Sequence, residues 1–338
     1  MTITALPLDT VLALGRADEL GAPFGAPVVF VDLDVDREAS ALAELSTLLG
    51  PAPVIVVGVA DGPIDIDPLA FDVLVCASGP APRPWVTGDP EDLAAAVAAS
   101  PSAAVTAVQL LRTAEVAEVA DAVVAESWVY SLLQSGTEHR AWLAARESLD
   151  RRARPDHAVL VEREGDRLRV VLDRPEVRNA YGTRMRDELC DALALVEADP
   201  SIVTVELTGN GPVFCSGGDL DEFGTAPAPV PAHLVRTARN AGVMLARVAD
   251  RVTVHVHGRC VGAGVELPAF AGTVIAAPDT TFRLPEVAMG LVPGAGGTAS
   301  IPRRIGRHRC AWMAITGTEL EVETAREWGL VDRIEDAR

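Results

Sequence analysis

The chain has 338 residues, 49% hydrophobic and only 4% aromatic, with a net charge of −19. That length and apolar share predict one large or two modest domains around a core of Ala, Val, Leu and Ile, and they exclude wholesale disorder. The charge excludes a nucleic-acid binder, which needs a basic face, and a protein that docks on anionic lipid.

In chain order, Met1 to Pro23 carries no basic n-region, its first Arg being Arg16, so no signal peptide is expected. Val28–Leu33 and Val54–Val59 read as buried strands, Ser40–Leu49 as the helix between them, and Phe71–Cys76 as a further strand. From Asp89 to Glu147 the pattern is helical, with starts at Asp89-Pro90, Pro101-Ser102 and Thr137. Arg151-Arg152-Ala153-Arg154-Pro155 reads as a linker and divides residues 1–150 from residues 156–338.

The second half opens with an expected hairpin, His157–Glu162 and Arg167–Leu172 around Glu164-Gly165-Asp166. Thr183–Ala198 has Met185, Leu189, Ala192, Leu193 and Val196 at helical spacing. Ser201–Leu207 is expected as a strand, Ala232–Ala249 as one helix and Val252–Val256 as a strand. A short helix is expected within Gly262–Ala271, before strand Thr273–Ala277. Strands alternating with helices predict an α/β layered fold.

No apolar run reaches about 18 residues, so no membrane span is expected. Five scattered cysteines without CxxC spacing fit free thiols in a reducing cytoplasm. An offset of 200 aligns Gly58, Pro68 and Ala77 with Gly258, Pro268 and Ala277, and Val54, Val56, Leu74 and Val75 with Val254, Val256, Val274 and Ile275. The first half therefore reads as a degenerate copy of the second. Glu266 and Glu286 then align with Ile66 and Val86, so the copy lacks the acid pair.

Those two glutamates carry the chemistry. Each sits behind a glycine-rich or proline-bearing turn, and a third turn, Phe214-Cys215-Ser216-Gly217-Gly218-Asp219-Leu220, lies upstream. Proton transfer next to a thioester carbonyl creates an enolate-like oxyanion. Two aimed backbone N–H donors stabilise it, each by roughly 3–4 kcal/mol. Ser216-Gly217-Gly218 and Gly262-Ala263-Gly264 both allow the close backbone approach this needs. Two neighbouring carboxylates of opposed protonation can manage a water and a proton at adjacent carbons. No Lys occurs anywhere, which excludes Schiff-base and Walker lysines and leaves Arg or backbone N–H to hold ligand phosphate.

The stretch from Arg174 to Asp332 resembles the crotonase (enoyl-CoA hydratase/isomerase) superfamily. The resemblance rests on Arg174-Pro175-Glu176-Val177-Arg178-Asn179-Ala180, the Phe214–Leu220 turn, and His257-Gly258-Arg259-Cys260-Val261-Gly262-Ala263-Gly264-Val265-Glu266-Leu267. Leu284-Pro285-Glu286, Gly290-Leu291-Val292-Pro293-Gly294-Ala295-Gly296-Gly297 and Ala325-Arg326-Glu327-Trp328-Gly329-Leu330-Val331 continue it in family order.

The resemblance implies a ββα spiral core in residues 156–338, and an oxyanion hole from the N–H groups of Gly218 and Ala263. It implies Glu266 and Glu286 as the two catalytic carboxylates. It further implies a CoA-binding edge at Arg178, Ala180, Ser216, Asp219, Leu220, Gly262 and Pro285, with Arg178 on phosphate. The expected activity is hydration of a 2-enoyl-CoA. An isomerase or dehydratase on the same site and a catalytically weak acyl-CoA-binding scaffold are the alternatives. No cofactor is expected beyond the CoA of the substrate, nor nucleic acid or membrane as partner; a homotrimer or dimer of trimers is implied.

Ala263 replaces the family's more usual Gly, His257 stands where Asn is usual, and Arg283 is expected to narrow or charge the acyl pocket. The family's terminal helices do not follow Trp328-Gly329-Leu330-Val331. The run Asp89–Arg146 resembles that tail, notably at Ala125-Glu126-Ser127-Trp128-Val129-Tyr130-Ser131. These N-terminal helices are expected to complete the C-terminal core, in cis or from a neighbour.

The remaining candidates read plainly. His255, His257 and the scattered histidines show no metal-ligand set. Cys215 is expected to be a buried small residue rather than a nucleophile. Arg303, Arg304, Arg307 and Arg309 are expected as a surface cluster at a helix end.

Overall fold

Runs of β-branched residues bounded by turns build the first layer. Helix α1 (Leu8–Arg16), strand β1 (Val28–Asp32), helix α2 (Ala39–Leu49) and strands β2 (Ile55–Ala60), β3 (Val73–Cys76) and β4 (Val86–Thr87) follow in order. The four strands pair in sequence and all run parallel. Alternate residues face opposite sides. Val29, Val31, Val56 and Leu74 pack with Leu12 of α1 and Leu45 of α2. Phe30, Ile55, Val57, Val73 and Val75 instead join a core that continues into the second half. The computed structural model describes residues 3–16, 19–35, 37–50, 52–146, 157–225 and 228–336, so the expected Arg151–Pro155 linker lies outside the described residues.

Four helices follow: α3 (Pro90–Ala99), α4 (Pro101–Ala114), α5 (Val119–Gln134) and α6 (Thr137–Ala145). They start where capping chemistry predicts. Asp89 accepts from the Glu91 N–H at 2.9 Å ahead of Pro90. The free N–H groups of Ser102 and Ala103 opening α4 donate to Glu138 of α6 at 2.8 and 3.0 Å.

The second half begins with antiparallel strands β5 (Val159–Glu164) and β6 (Arg167–Leu172), helix α7 (Thr183–Ala198) and strand β7 (Thr204–Gly209). Helices α8 (Pro229–Ala238) and α9 (Ala241–Arg247) and strands β8 (Val252–Val256) and β9 (Arg259–Val261) come next. Then come α10 (Ala263–Glu266), β10 (Thr273–Ala276), β11 (Thr281–Arg283), α11 (Gly297–Ile305) and α12 (Arg307–Thr316). Strand β12 (Leu320–Glu321), helix α13 (Val322–Trp328) and strand β13 (Arg333–Ile334) close the chain. One six-stranded sheet runs β13-β10-β8-β7-β6-β5, and a smaller sheet runs β12-β11-β9. The chain is thus α/β, as expected.

Three expectations change. The single helix at Ala232–Ala249 is two helices, because the Asn240 side chain accepts from the Val243 N–H at 2.9 Å and starts α9 afresh. The strand expected from Ser201 begins at Thr204, since Asp199 captures the Ser201 N–H at 2.9 Å and its hydroxyl at 2.6 Å in a local turn.

The arginine cluster is only in part a surface feature: Arg303 is exposed and Arg304 half-buried, but Arg307 and Arg309 are 5% and 4% exposed. Arg307 lies 3.5 Å from Asp72 and 2.9 Å from Glu115. Arg309 donates to the carbonyls of Trp85 and Ala81 at 3.2 and 2.7 Å. The first half supplies the acceptors that bring these cations inside. Asp72 is the hub, holding Arg112 at 2.8 and 2.6 Å and the Val56 N–H at 2.8 Å. Among the described residues no single helix is long and apolar enough to cross a membrane.

Candidate active site

Two tight turns meet beneath a glycine-rich loop. The first, after β7, holds Gly217 at φ +94°, and the second, between β9 and α10, holds Gly262 at φ +50°. A Cβ on Gly262 would sit 2.4 Å from Glu286 Oε1 and 3.6 Å from Gly217 Cα, so no side chain fits. The turns are tied by Val261 N–H donating to the Cys215 carbonyl at 3.1 Å. This packing brings Gly218, Ala263 and the Glu286 carboxyl to one place.

A cavity of about 540 Å³ opens there, and its lining includes Gly218, Ala263, Glu266, Glu286 and Asp219. All four residues expected to be catalytic therefore come together. Asp219 is also engaged by Arg174 at 3.1 Å and by the Asp221 N–H at 3.2 Å, which fix the turn. Arg178, Ala180, Ser216, Leu220, Gly262 and Pro285 are not in that lining. Arg178 is exposed in a left-handed conformation at φ 55°, beside the first turn through its carbonyl bond to the Ser216 N–H at 3.0 Å.

Glu266 ends the four-residue helix α10 and is buried. Its Oε2 accepts from the N–H groups of Ala295 and Gly297, both at 2.8 Å. Burial pushes its carboxyl up to about 7, and those two donors restrain the rise. Glu286 differs: its Oε2 has no hydrogen-bond partner. Burial, followed by the nearby Glu266 charge, holds the Glu286 carboxyl well above the ordinary range. The two carboxylates thus differ in what holds them: backbone donors favour the ionised form of Glu266, and nothing donates to Glu286 Oε2.

A third carboxylate stands behind Glu266, and it comes from the first half. Glu126 of α5 accepts from Gly296 N–H at 2.7 Å, Thr298 N–H at 2.9 Å and the Thr298 hydroxyl at 2.7 Å. Burial, then Glu266, raises its carboxyl also. Tyr130 of the same helix lines the cavity, with Gly294 so close that a Cβ there would be 2.4 Å from the ring. The helices from residues 90 to 145 thus complete the site in cis, one of the two arrangements expected. The motif reading gave no site role to Glu126, Tyr130 or Arg236, although the first two lie in the tail-like segment Ala125–Ser131. A usable signal existed for the first: Glu126 shares a helical face with Ala122, Val123 and Leu133, which are buried.

Arg283 does not line the cavity, although its charge reaches Glu286 and slightly offsets the rise of that carboxyl. Its guanidinium turns to the Gly317 carbonyl at 2.8 Å. His257 accepts the Phe214 N–H on its own carbonyl at 2.9 Å, and its ring nitrogen lies 3.0 Å from the Gly211 carbonyl, so it braces the first turn. Cys215 is buried and its thiol is pushed up to about 12, which suits packing and not nucleophilic attack. Phe223 and Pro231, from the proline-bearing loop, line the cavity.

Residues 163–337 match the enoyl-CoA hydratase/isomerase family. A 1,2-epoxyphenylacetyl-CoA isomerase of Escherichia coli is 36% identical over 173 residues, which cover 50% of this chain and 66% of that protein. A 2,3-dehydroadipyl-CoA hydratase of the same organism is 31% identical over 176 residues, covering 52% and 68%. Among solved structures, an enoyl-CoA hydratase of Mycobacterium smegmatis superposes with a TM-score of 0.50 at 27% identity, over 54% of this chain and 71% of that one. The chain spans about two thirds of the length of the curated relatives it matches. With more than half of its length matched, in the stretch that carries both glutamates, the chain belongs to the enoyl-CoA hydratase/isomerase family.

Proposed function

We propose that this enzyme is a hydratase-type lyase that adds water across the double bond of a 2-enoyl-CoA thioester. The observation that carries the reading is the unequal treatment of two carboxylates on one cavity: Glu266 receives two N–H donors, whereas Glu286 Oε2 receives none. In this reading ionised Glu266 takes a proton from water as its oxygen bonds to C3. Protonated Glu286 delivers its proton to C2, and the N–H groups of Gly218 and Ala263 stabilise the thioester enolate between the two events. A proton passing from Glu266 to Glu286 then resets the site. No cofactor enters beyond the CoA of the substrate.

The test is direct. Incubation with crotonyl-CoA should remove the conjugated thioester absorbance, and Glu286→Gln should lower kcat by about 100-fold or more, the range of a general acid. CoA binding without turnover on any enoyl chain length would favour the scaffold alternative.

In the same reading residues 1–150 are a degenerate copy of the catalytic core. Support comes from the three-residue 3₁₀ turns at Pro68–Ala70 and Pro268–Phe270, each preceding a parallel strand at the 200-residue offset, β3 and β10. The register has drifted: Val57 pairs with Val73, a separation of 16, and Thr253 with Thr273, a separation of 20. The family resemblance supports a homotrimer or dimer of trimers, and five buried free cysteines support a reducing, cytoplasmic setting.

A further inference from the structure

The cavity wall that carries the glutamates also carries a cation. Arg236 of α8 is half-buried, and its guanidinium lies over the Tyr130 ring at 4.7 Å. Its donors reach neutral acceptors only. Nε goes to Ser127 Oγ at 3.1 Å, Nη2 to Ser131 Oγ at 2.5 Å and the Ser127 carbonyl at 3.4 Å, and Nη1 to Gln134 Oε1 at 3.4 Å. Among the described residues Arg236 forms no ion pair. The other arginines of this lining do: Arg186 with Asp187 at 2.8 Å, and Arg239 with Asp191 at 2.7 Å.

A cation removed from water without a counter-charge is costly unless something that binds there supplies one. The long Nη1 contact leaves one edge of the planar fork weakly engaged, and that fork fits a carboxylate in bidentate fashion. Its place identifies the part of the ligand concerned. Tyr130, beneath Arg236, packs on Gly294, next to Ala295, whose N–H holds Glu266. A group bound at Arg236 therefore belongs to the acyl end of a thioester reacting at the glutamates. Ionised Glu266 on this wall repels a second anion, and Arg236 is the cation of the same lining that offsets it.

We propose that Arg236 is a specificity residue selecting thioesters whose acyl chain ends in a carboxylate. The assignment rests on the thioester reading of the cavity. Calorimetric titration with saturated, unreactive probes tests it without any turnover: CoA, butyryl-CoA, glutaryl-CoA and adipyl-CoA at low salt. Glutaryl- or adipyl-CoA should bind about tenfold tighter than butyryl-CoA or more, as one charge-assisted contact provides. Arg236→Gln should bring that ratio towards one, and Arg236→Lys should keep part of it. Equal or weaker binding of both dicarboxylic probes by the unsubstituted enzyme overturns the proposal. So does an equal loss for all four ligands in Arg236→Gln, which would make Arg236 a CoA contact or a helix strap. Failure of every probe to bind removes the thioester reading along with it.

Discussion

Glu126 and Glu266 grip the same stretch of backbone from opposite sides. The N–H groups of Ala295 and Gly297 point to Glu266, and those of Gly296 and Thr298 point to Glu126. Two charged carboxylates so close repel each other, and the Glu266 charge raises the proton affinity of Glu126 beyond what burial alone does. The sign for the proposed hydration follows. Glu266 must be ionised, so kcat/KM should rise with pH through about 7. Glu286 must keep its proton, so the rate should fall once pH passes its raised value. Glu126 keeps its proton up to about 8, above the rising limb, so Glu126→Gln should leave that limb in place; a limb displaced to lower pH would show that Glu126 is charged where Glu266 titrates. Glu126→Ala should cost about 1–3 kcal/mol of stability as well, because the buried N–H groups of Gly296 and Thr298 lose their acceptors. Thermal unfolding of the variant measures it.

Helix α12 joins the two halves through charge that sequence patterning misreads. Asp72 is buried with Arg112 and Arg307 around it. Asp72→Ala should destabilise by about 3–5 kcal/mol, the cost of leaving buried guanidinium unpaired. Denaturant unfolding checks this, and a loss below about 1 kcal/mol would mean that water reaches the site. Arg307 and Arg309 looked superficial in the sequence because a cation announces solvent unless its partner is known, and theirs lie far off in the first half, at Glu115, Asp72 and Trp85. Local chemistry was readable: Asp89-Pro90 marks α3, and the spacing from Met185 to Val196 marks α7. Gly262 and Glu286 were readable too, because a turn glycine and the motif around it are short-range signals. For Glu126 the buried helical face was readable but not the role, since its donors stand 170 and 172 residues further on. The break at Asn240 also escaped, because the apolar spacing continues across it.

At the scale of the whole chain, the first half is part of the enzyme's core and not an appendage. Val57, Val108 and Leu111 share one apolar cluster with Ile301, Trp312 and Ile315. A chain lacking residues 1–150 should therefore be insoluble or inactive, and adding the missing part in trans should restore what its absence removed. Sedimentation and the crotonyl-CoA assay measure both outcomes, and a soluble, active trimer of the truncated chain would refute the expectation. Fold and site were legible to different depths here. The carboxylate pair was visible, but the wall that finishes its cavity comes from α5, a helix with no catalytic motif of its own. The order of these parts has a consequence for synthesis. Helix α5 leaves the ribosome before the loop that Glu126 holds, which follows 170 residues later. At bacterial or eukaryotic elongation speeds that interval is on the order of ten to thirty seconds. Throughout it Ala122, Val123 and Leu133 have no second half to cover them. The nascent chain must therefore shelter an apolar helix face, on the ribosome or in a chaperone, before the enzyme has an active centre at all.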